Sequence, residues 1–355
     1  MYGIKRQLKR AGLLLLCIAL LAGLGLSSIL SKSTQSPERF SARYPYLSPA
    51  SSLGQLSSVK SSREPIVPVT IAQNLDENKV ELGRQLFHDP RLSRNNQISC
   101  ASCHARNLGG ADGRSHAVGI DGNTADFNSP TVWNSSLNFR QFWDGRTISL
   151  EEQVDGPLLD SREMDSSWPD VIFKLRQDDE YVKAFRQLYP DGIQPAGVRD
   201  AIATYEKALV TPNARFDQYL KGDATALTDE EKAGYEKFKS YGCVACHQGA
   251  NIGGNMFQRL GVIEDFFLAR GTVQPSDLGR MNITNRSRDR YVFKVPSLRN
   301  VALTAPYLHD GSVETLEEMV NIMTRYQLGR EIPPDDVALI VKFLLTLTGE
   351  TPEAA

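Results

Sequence analysis

Four of the five cysteines fall in two matching arrangements, Cys100-Ala-Ser-Cys103-His104 and Cys243-Val-Ala-Cys246-His247. Paired thiols at this spacing can close a disulfide, ligate zinc, cycle as a redox couple or take up a haem through its two vinyl groups. The histidine after each pair decides among these. Covalent haem attachment needs two thiols on one turn and an imidazole that ligates the iron from the same side. A zinc site asks for further ligands at finger or ribbon spacing, and only His88, His116 and His309 remain outside the motifs. A thioredoxin-like pair asks for a βαβ setting, which is missing. The reading is two covalently bound c-type haems, with His104 and His247 as the proximal ligands.

The far face of each iron sets the chemistry, because a carrier haem has both axial positions filled and a catalytic haem keeps one open. A methionine opposite His247 would raise the potential of the second haem. Met256, Met281, Met319 and Met323 lie downstream, with His309 as a rival ligand. Met256 is close to the attachment site in a Gly-Gly-Asn turn, whereas Met319 and Met323 share one helix face, a spacing that also serves core packing. Behind the first haem, a glycine-rich loop offers His116, Asp112 and Asp121, and no methionine before Met164.

The elements that position these groups repeat. "NKVELGRQLF" precedes the first motif and "TDEEKAGYEKF" the second, both amphipathic with Gly-x-x-x-Phe: Gly83 and Phe87, then Gly234 and Phe238. Thr228 and Glu231 predict a capping box, with Leu227 in the staple position. Each half closes on a helix. Val198, Ile202, Tyr205 and Leu209 form an apolar stripe in the first, and "PPDDVALIVKFLLTL" runs to Gly349 in the second. Long β-type alternation is absent. The expected fold is all-α: two cytochrome c-like helical domains, residues 67–222 and 223–355, each with one haem.

The chain has 355 residues and a net charge of −2, without a basic stripe for nucleic acid. Lys5, Arg6, Lys9 and Arg10 precede an apolar run from Gly12 to Leu30. Residues 1–32 therefore read as an export signal or as a membrane anchor, and both readings place the body outside the cytoplasm, in the periplasm or held at the inner membrane. Cys17, inside that run, reads as a small hydrophobe. Residues 33–66, rich in Ser and Pro at their start, read as a flexible linker.

Several linked motifs, "LFHDPRLS", "CASCH", "NSPTVWN", "FWDGR", "SLEEQVDGP", "GCVACH", "FKVPSLRN" and "PYLHDGSVETL", resemble the bacterial di-haem cytochrome c peroxidase and MauG-like superfamily from about Leu82 to Gly349. The resemblance implies a peroxidatic first haem and an electron-receiving second haem. Hydrogen peroxide is then reduced to water with electrons from a small cytochrome c or similar redox protein, commonly by a homodimer. Met323, fourteen residues after His309, matches the distal methionine of the peroxidases, where MauG-like enzymes that mature a tryptophan-derived cofactor have tyrosine. Gln153 and Glu163 match the pair lining the peroxide pocket, and Trp143 the tryptophan between the haems. Asn128, Thr304 and Pro306 match positions that hold a calcium ion through backbone oxygens. Ile120 stands where other members have a loop histidine that blocks the first iron, so that iron is expected to be open, with His116 four residues too early.

Taken singly, the same residues have plainer readings. Trp143 is a core aromatic beside an Asp-Gly turn, and Gln153 and Glu163 are a solvated helix face. Arg146 serves a haem propionate or an ion pair, His88 is structural, and Trp133 and Trp168 are core. Three function classes follow: a peroxidase, a MauG-like oxidase of a protein or small molecule, and a di-haem electron carrier.

Overall fold

The computed structural model describes residues 64–71 and 74–351, which belong to one body. The expected signal or anchor and the linker up to residue 63 lie outside the described residues. Among the described residues no helix is long and apolar enough to cross a membrane. The last residues of the expected linker are packed: Ile66 is buried and bridges to Gly249. The fold is mostly helical, and among the described residues the one sheet is a pair of three-residue antiparallel strands, Phe257–Arg259 and Val292–Lys294, with Phe257 opposite Lys294.

The repeated Gly-x-x-x-Phe has a physical cause. The helix Glu77–His88 starts at Asp76, whose carboxylate accepts the N–H groups of Asn78 and Lys79. It lies against the helix Pro195–Ala208. A Cβ at Gly83 would stand 2.0 Å from the Ala201 carbonyl oxygen. In the second half, the helix Asp229–Ser240 begins in the expected Thr228–Glu231 capping box and lies against the helix Pro334–Leu345. A Cβ at Gly234 would again stand 2.0 Å from a carbonyl, that of Leu339. Both glycines therefore mark helix crossings too close for a side chain. The phenylalanines lie one turn further on, beside the motif histidines, with ring centroids 6.4 Å apart for Phe87–His104 and for Phe238–His247. The closing helix of the second half stops at Leu345 rather than Gly349.

The correspondence extends beyond these helices. Asn134 and Asn300 both adopt left-handed backbone conformations, φ 61° and 59°, which asparagine tolerates better than most residues. The N–H of Asn134 donates to Leu209 O, and that of Asn300 to Leu347 O, each just after its closing helix. Both side-chain amides donate to the Thr211 hydroxyl, at 2.8 and 3.0 Å. One apolar cluster gathers residues from Leu82 to Leu209, a second joins Ile66 and Phe216 to the chain through Leu347, and a third surrounds the short strand pair.

Candidate functional site

Each Cys-x-x-Cys-His borders its own cavity. The first, about 130 Å³, is lined by Cys100, Cys103 and His104, and the second, about 260 Å³, by Cys243, Cys246 and His247. His104 Nδ1 lies 3.1 Å from the Gly110 carbonyl oxygen and His247 Nδ1 lies 3.2 Å from that of Ile252. A carbonyl only accepts, so each Nδ1 carries the proton and each Nε2 keeps its lone pair, as an axial imidazole requires. Burial depresses both imidazoles, His247 to about 4, which keeps them neutral. Burial also pushes the Cys100 thiol up to about 12, and those of Cys103 and Cys243 to about 11. Thiols that hold their protons are poor redox nucleophiles. Paired thiols, an imidazole with a free Nε2 and a largely apolar wall fit a covalently attached haem in both cavities.

The first cavity also brings Gln153 and Glu163 together in its wall. Gln153 ends the short helix Leu150–Gln153, capped by Ser149. Glu163 lies on a turn rather than a helix, its N–H donating to Asp160 O. Neither side chain has a hydrogen-bond partner among the described residues. Desolvation raises the Glu163 carboxyl above its ordinary range, and the nearby Asp160 charge adds to this. Ile120 is buried and, like the half-buried His116, is outside this wall. Besides His104 and the two thiols, the wall holds one sulfur donor, Met164, which is packed in the first core cluster. Arg146 pairs with Asp144 at 3.1 Å and stacks on Phe142.

Trp143 lines both cavities. Its indole N–H donates to Asn128 O at 2.9 Å, and its ring meets His309 edge-on, with centroids 6.5 Å apart. Met319 and Met323 line the second cavity, while Met256 and Met281 do not. Met323 opens a π-helical turn that follows the helix Leu316–Ile322. His309, the rival ligand, has Nε2 engaged by Asp277 Oδ1 at 2.7 Å and its ring stacked on Phe293. Asp277, His309 and Asp310 converge, but Arg270 pairs with both carboxylates and already supplies the cation there. Asn128, Thr304 and Pro306 share the wall of the second cavity. His88 is on the exposed side of its helix, its Nδ1 on Arg84 O; Trp133 is core, and Trp168 packs at the core's edge.

Glu206 escaped the sequence reading. It is 4 % exposed, lines the first cavity, leaves Oε2 without a partner and is pushed up by burial to about 8. Its signal was a carboxylate one residue after Tyr205 of the apolar stripe, four after Ile202.

The family model for di-haem cytochrome c peroxidase matches residues 77–225. The chain is 48% identical over 287 residues to cytochrome c peroxidase Ccp of Escherichia coli (strain K12), covering 81% of this chain and 61% of that protein. It therefore spans less than two thirds of that relative's length. It is 42% identical over 296 residues to cytochrome c551 peroxidase of Nitrosomonas europaea, covering 83% of this chain and 87% of that one. Among solved structures, a MauG-like protein associated with microbial copper homeostasis superposes with a TM-score of 0.70 at 29% identity, covering 84% of this chain and 96% of that chain.

Proposed function

Since the chain belongs to the di-haem cytochrome c peroxidase family, we propose that it reduces hydrogen peroxide to water with electrons from a small cytochrome c or similar exported redox protein. Residues 67–222 carry the peroxidatic haem on Cys100, Cys103 and His104. Residues 223–355 would hold the electron-receiving haem through Cys243, Cys246 and His247, with Met323 as a further ligand. The haems supply the redox chemistry when bound. The observation that carries the reading is Trp143, present in the walls of both cavities, with Glu163 and Gln153 in one of them.

The chain's own residues manage the proton and the geometry. A Glu163 carboxylate oxygen would take the proton from one peroxide oxygen and return it to the other, which leaves as water as the O–O bond breaks, while the first oxygen takes two electrons from the donor and two protons from solvent to become the second water; general acid–base help of this kind is worth roughly 10²–10⁴-fold. Its raised pKa suits it to exchange a proton closer to neutral pH. The Gln153 amide, without a hydrogen-bond partner among the described residues, orients the peroxide. Trp143, held by Asn128 O, is the packed group between donor side and peroxide side. Asn128, Thr304 and Pro306 offer hard oxygens suited to one calcium ion. Residues 1–32 direct the body to the periplasm.

A steady-state assay with hydrogen peroxide and a reduced small cytochrome c tests the reading. Glu163→Gln keeps the shape and removes the base, so turnover falls at least about a hundredfold with haem content unchanged. Native turnover in that variant would remove Glu163 from the mechanism. The likeness to a MauG-like structure supports a second reading, oxidation of a protein or small-molecule substrate. Peroxide consumption without oxidation of the cytochrome would favour it.

A further inference from the structure

The two cavities meet at a junction with local two-fold correspondence. Pro130-Thr-Val-Trp-Asn134 aligns with Pro296-Ser-Leu-Arg-Asn300, and Trp143-Asp-Gly aligns with His309-Asp-Gly. The turns after these residues match, with bridges Gln141–Thr147 and Tyr307–Val313. The residue two before each proline makes the reciprocal bond: Asn128 N–H donates to His309 O, and Lys294 N–H donates to Trp143 O, both at 2.8 Å. Lys294 is thus the counterpart of Asn128 at the junction.

Lys294 differs from Asn128 in being a buried cation. It lies in the wall of the second cavity, 8 % exposed. No carboxylate or hydrogen-bond acceptor among the described residues meets its ammonium, and desolvation alone pushes it down to about 8. The same wall holds a second buried donor without a partner, the Trp133 indole N–H. An ammonium out of water without an anion is strongly disfavoured. Two orphan donors in one wall call for an acceptor that the cavity's occupant must bring. A haem brings two carboxylates on the edge opposite its vinyl groups, and Cys243 and Cys246 fix the vinyl edge.

We propose that Lys294 binds a propionate of the second haem, as its fixed counter-ion at the junction beside Trp143. This rests on haem attachment to Cys243 and Cys246 and not on the peroxidase reading. A cation paired with a propionate makes the iron easier to reduce, because it offsets negative charge that otherwise favours the oxidised form. The pairing therefore helps the second haem receive electrons from the donor.

The test is spectroelectrochemical titration of the holoprotein, without peroxide, after haem content is measured. Lys294→Met and Lys294→Gln should each shift the reduction equilibrium of the second haem at least tenfold toward the oxidised form, about 59 mV for one electron. Lys294→Arg should stay within about threefold of wild type, and the first haem should be unmoved in all three. A wild-type titration of the second haem in the neutral variants overturns the proposal, as does an equal shift in both haems. If Lys294→Met fails to load two haems, Lys294→Gln decides alone, since it keeps a donor and loses only the charge. A wild-type chain with no haem on Cys243 and Cys246 overturns the attachment and this proposal together, whereas a failed peroxide assay leaves it standing.

Discussion

The Ile120 backbone N–H donates to the carbonyl oxygen of Glu163 at 2.8 Å. The loop that supplies an iron-blocking histidine in the resembling peroxidases here holds the candidate proton carrier by its main chain. The attachment is reinforced on both sides. Arg94 bridges Asp121 of the loop (2.6 Å) and Asp165 of the Glu163 turn (2.7 Å), and Arg162 reaches Asp126 while pairing with Asp160. These exposed ion pairs are individually weak, but they join the same two segments that the buried hydrogen bond joins.

Gly119 is the tightest point of this contact. An added Cβ would lie 2.0 Å from Arg162 O and 2.5 Å from Glu163 Cα. Gly119→Ala should therefore push the Glu163 turn away from the loop. Turnover with peroxide should fall at least about tenfold, while the spectrum and potential of the second haem stay as in wild type. Native turnover would show that the turn holds Glu163 without the loop.

The pH profile follows from the direction of the Glu163 shift. Burial raises its pKa, so the base form appears only above the ordinary carboxylate range and is lost as pH falls through the raised value. The acid limb of kcat/KM should accordingly lie above about 4.3, the unperturbed glutamate value. Asp160→Asn removes a neighbouring negative charge and releases Arg162, and both changes favour the ionised Glu163. The limb should move to lower pH in that variant. A limb that stays in place would assign the titration to another group.

The expectation that the first haem's iron is open has a spectroscopic consequence. With Ile120 and His116 outside the first wall, the oxidised protein should show a high-spin component and bind cyanide without prior reduction. Electron paramagnetic resonance on the resting protein checks this. Low-spin signals alone, converted to high-spin by Met164→Leu, would identify Met164 as a sixth ligand instead.

The attachment motifs, the capped helices and the closing helices are legible in the sequence because each is local. Thr228 and Glu231 form their box within one turn, and Gly83 and Phe87 act within one helix. The second level of the repeat is harder to read. Asn134 and Asn300 keep their places through backbone conformation and a shared Thr211 hydroxyl, while their neighbours Trp133 and Arg299 have diverged completely. Trp143 and His309 hold equivalent turns with unrelated side chains. Glu206 is hidden for the opposite reason: its helix pattern predicts core, and a buried carboxylate leaves no periodic mark. That Ile120 stands where the resembling peroxidases have a loop histidine is an expectation from sequence, but the loop's attachment to Glu163 depends on a contact across more than forty residues.

One buried ion pair joins Asp217, near the end of the first half, to Arg299 in the second. Arg299 and Asp217 are fully buried and 2.8 Å apart. Arg299 also donates to Ala250 O and Val67 O, and Asp217 accepts from Val69 N–H, so the pair fastens the segment that begins the body. Arg299→Met leaves the Asp217 charge buried and should cost about 3–5 kcal/mol. Combining it with Asp217→Leu should recover part of that loss, because no lone charge remains. Urea unfolding of the three variants measures both effects; an additive double variant would show that the two side chains do not interact.

The second haem offers two methionines, and the repeat separates them. Met319 aligns with Gln153, each ten residues after its Asp-Gly-turn residue His309 or Trp143 and each four residues after its N-cap, Thr315 or Ser149. Gln153 lines a cavity and is read as a pocket residue, so its counterpart Met319 inherits a wall position. Met323 lies one turn further on, at the start of the π-helical stretch. Such a bulge re-aims a side chain out of the regular helical register, and bulges of this type gather at functional sites. Met323→Leu should therefore abolish the methionine–iron charge-transfer band and lower the second haem's potential, since a thioether ligand favours the reduced iron. Met319→Leu should leave the band in place. A band that survives the first substitution and disappears with the second would transfer the ligand role to Met319 and leave the π-turn as a packing feature.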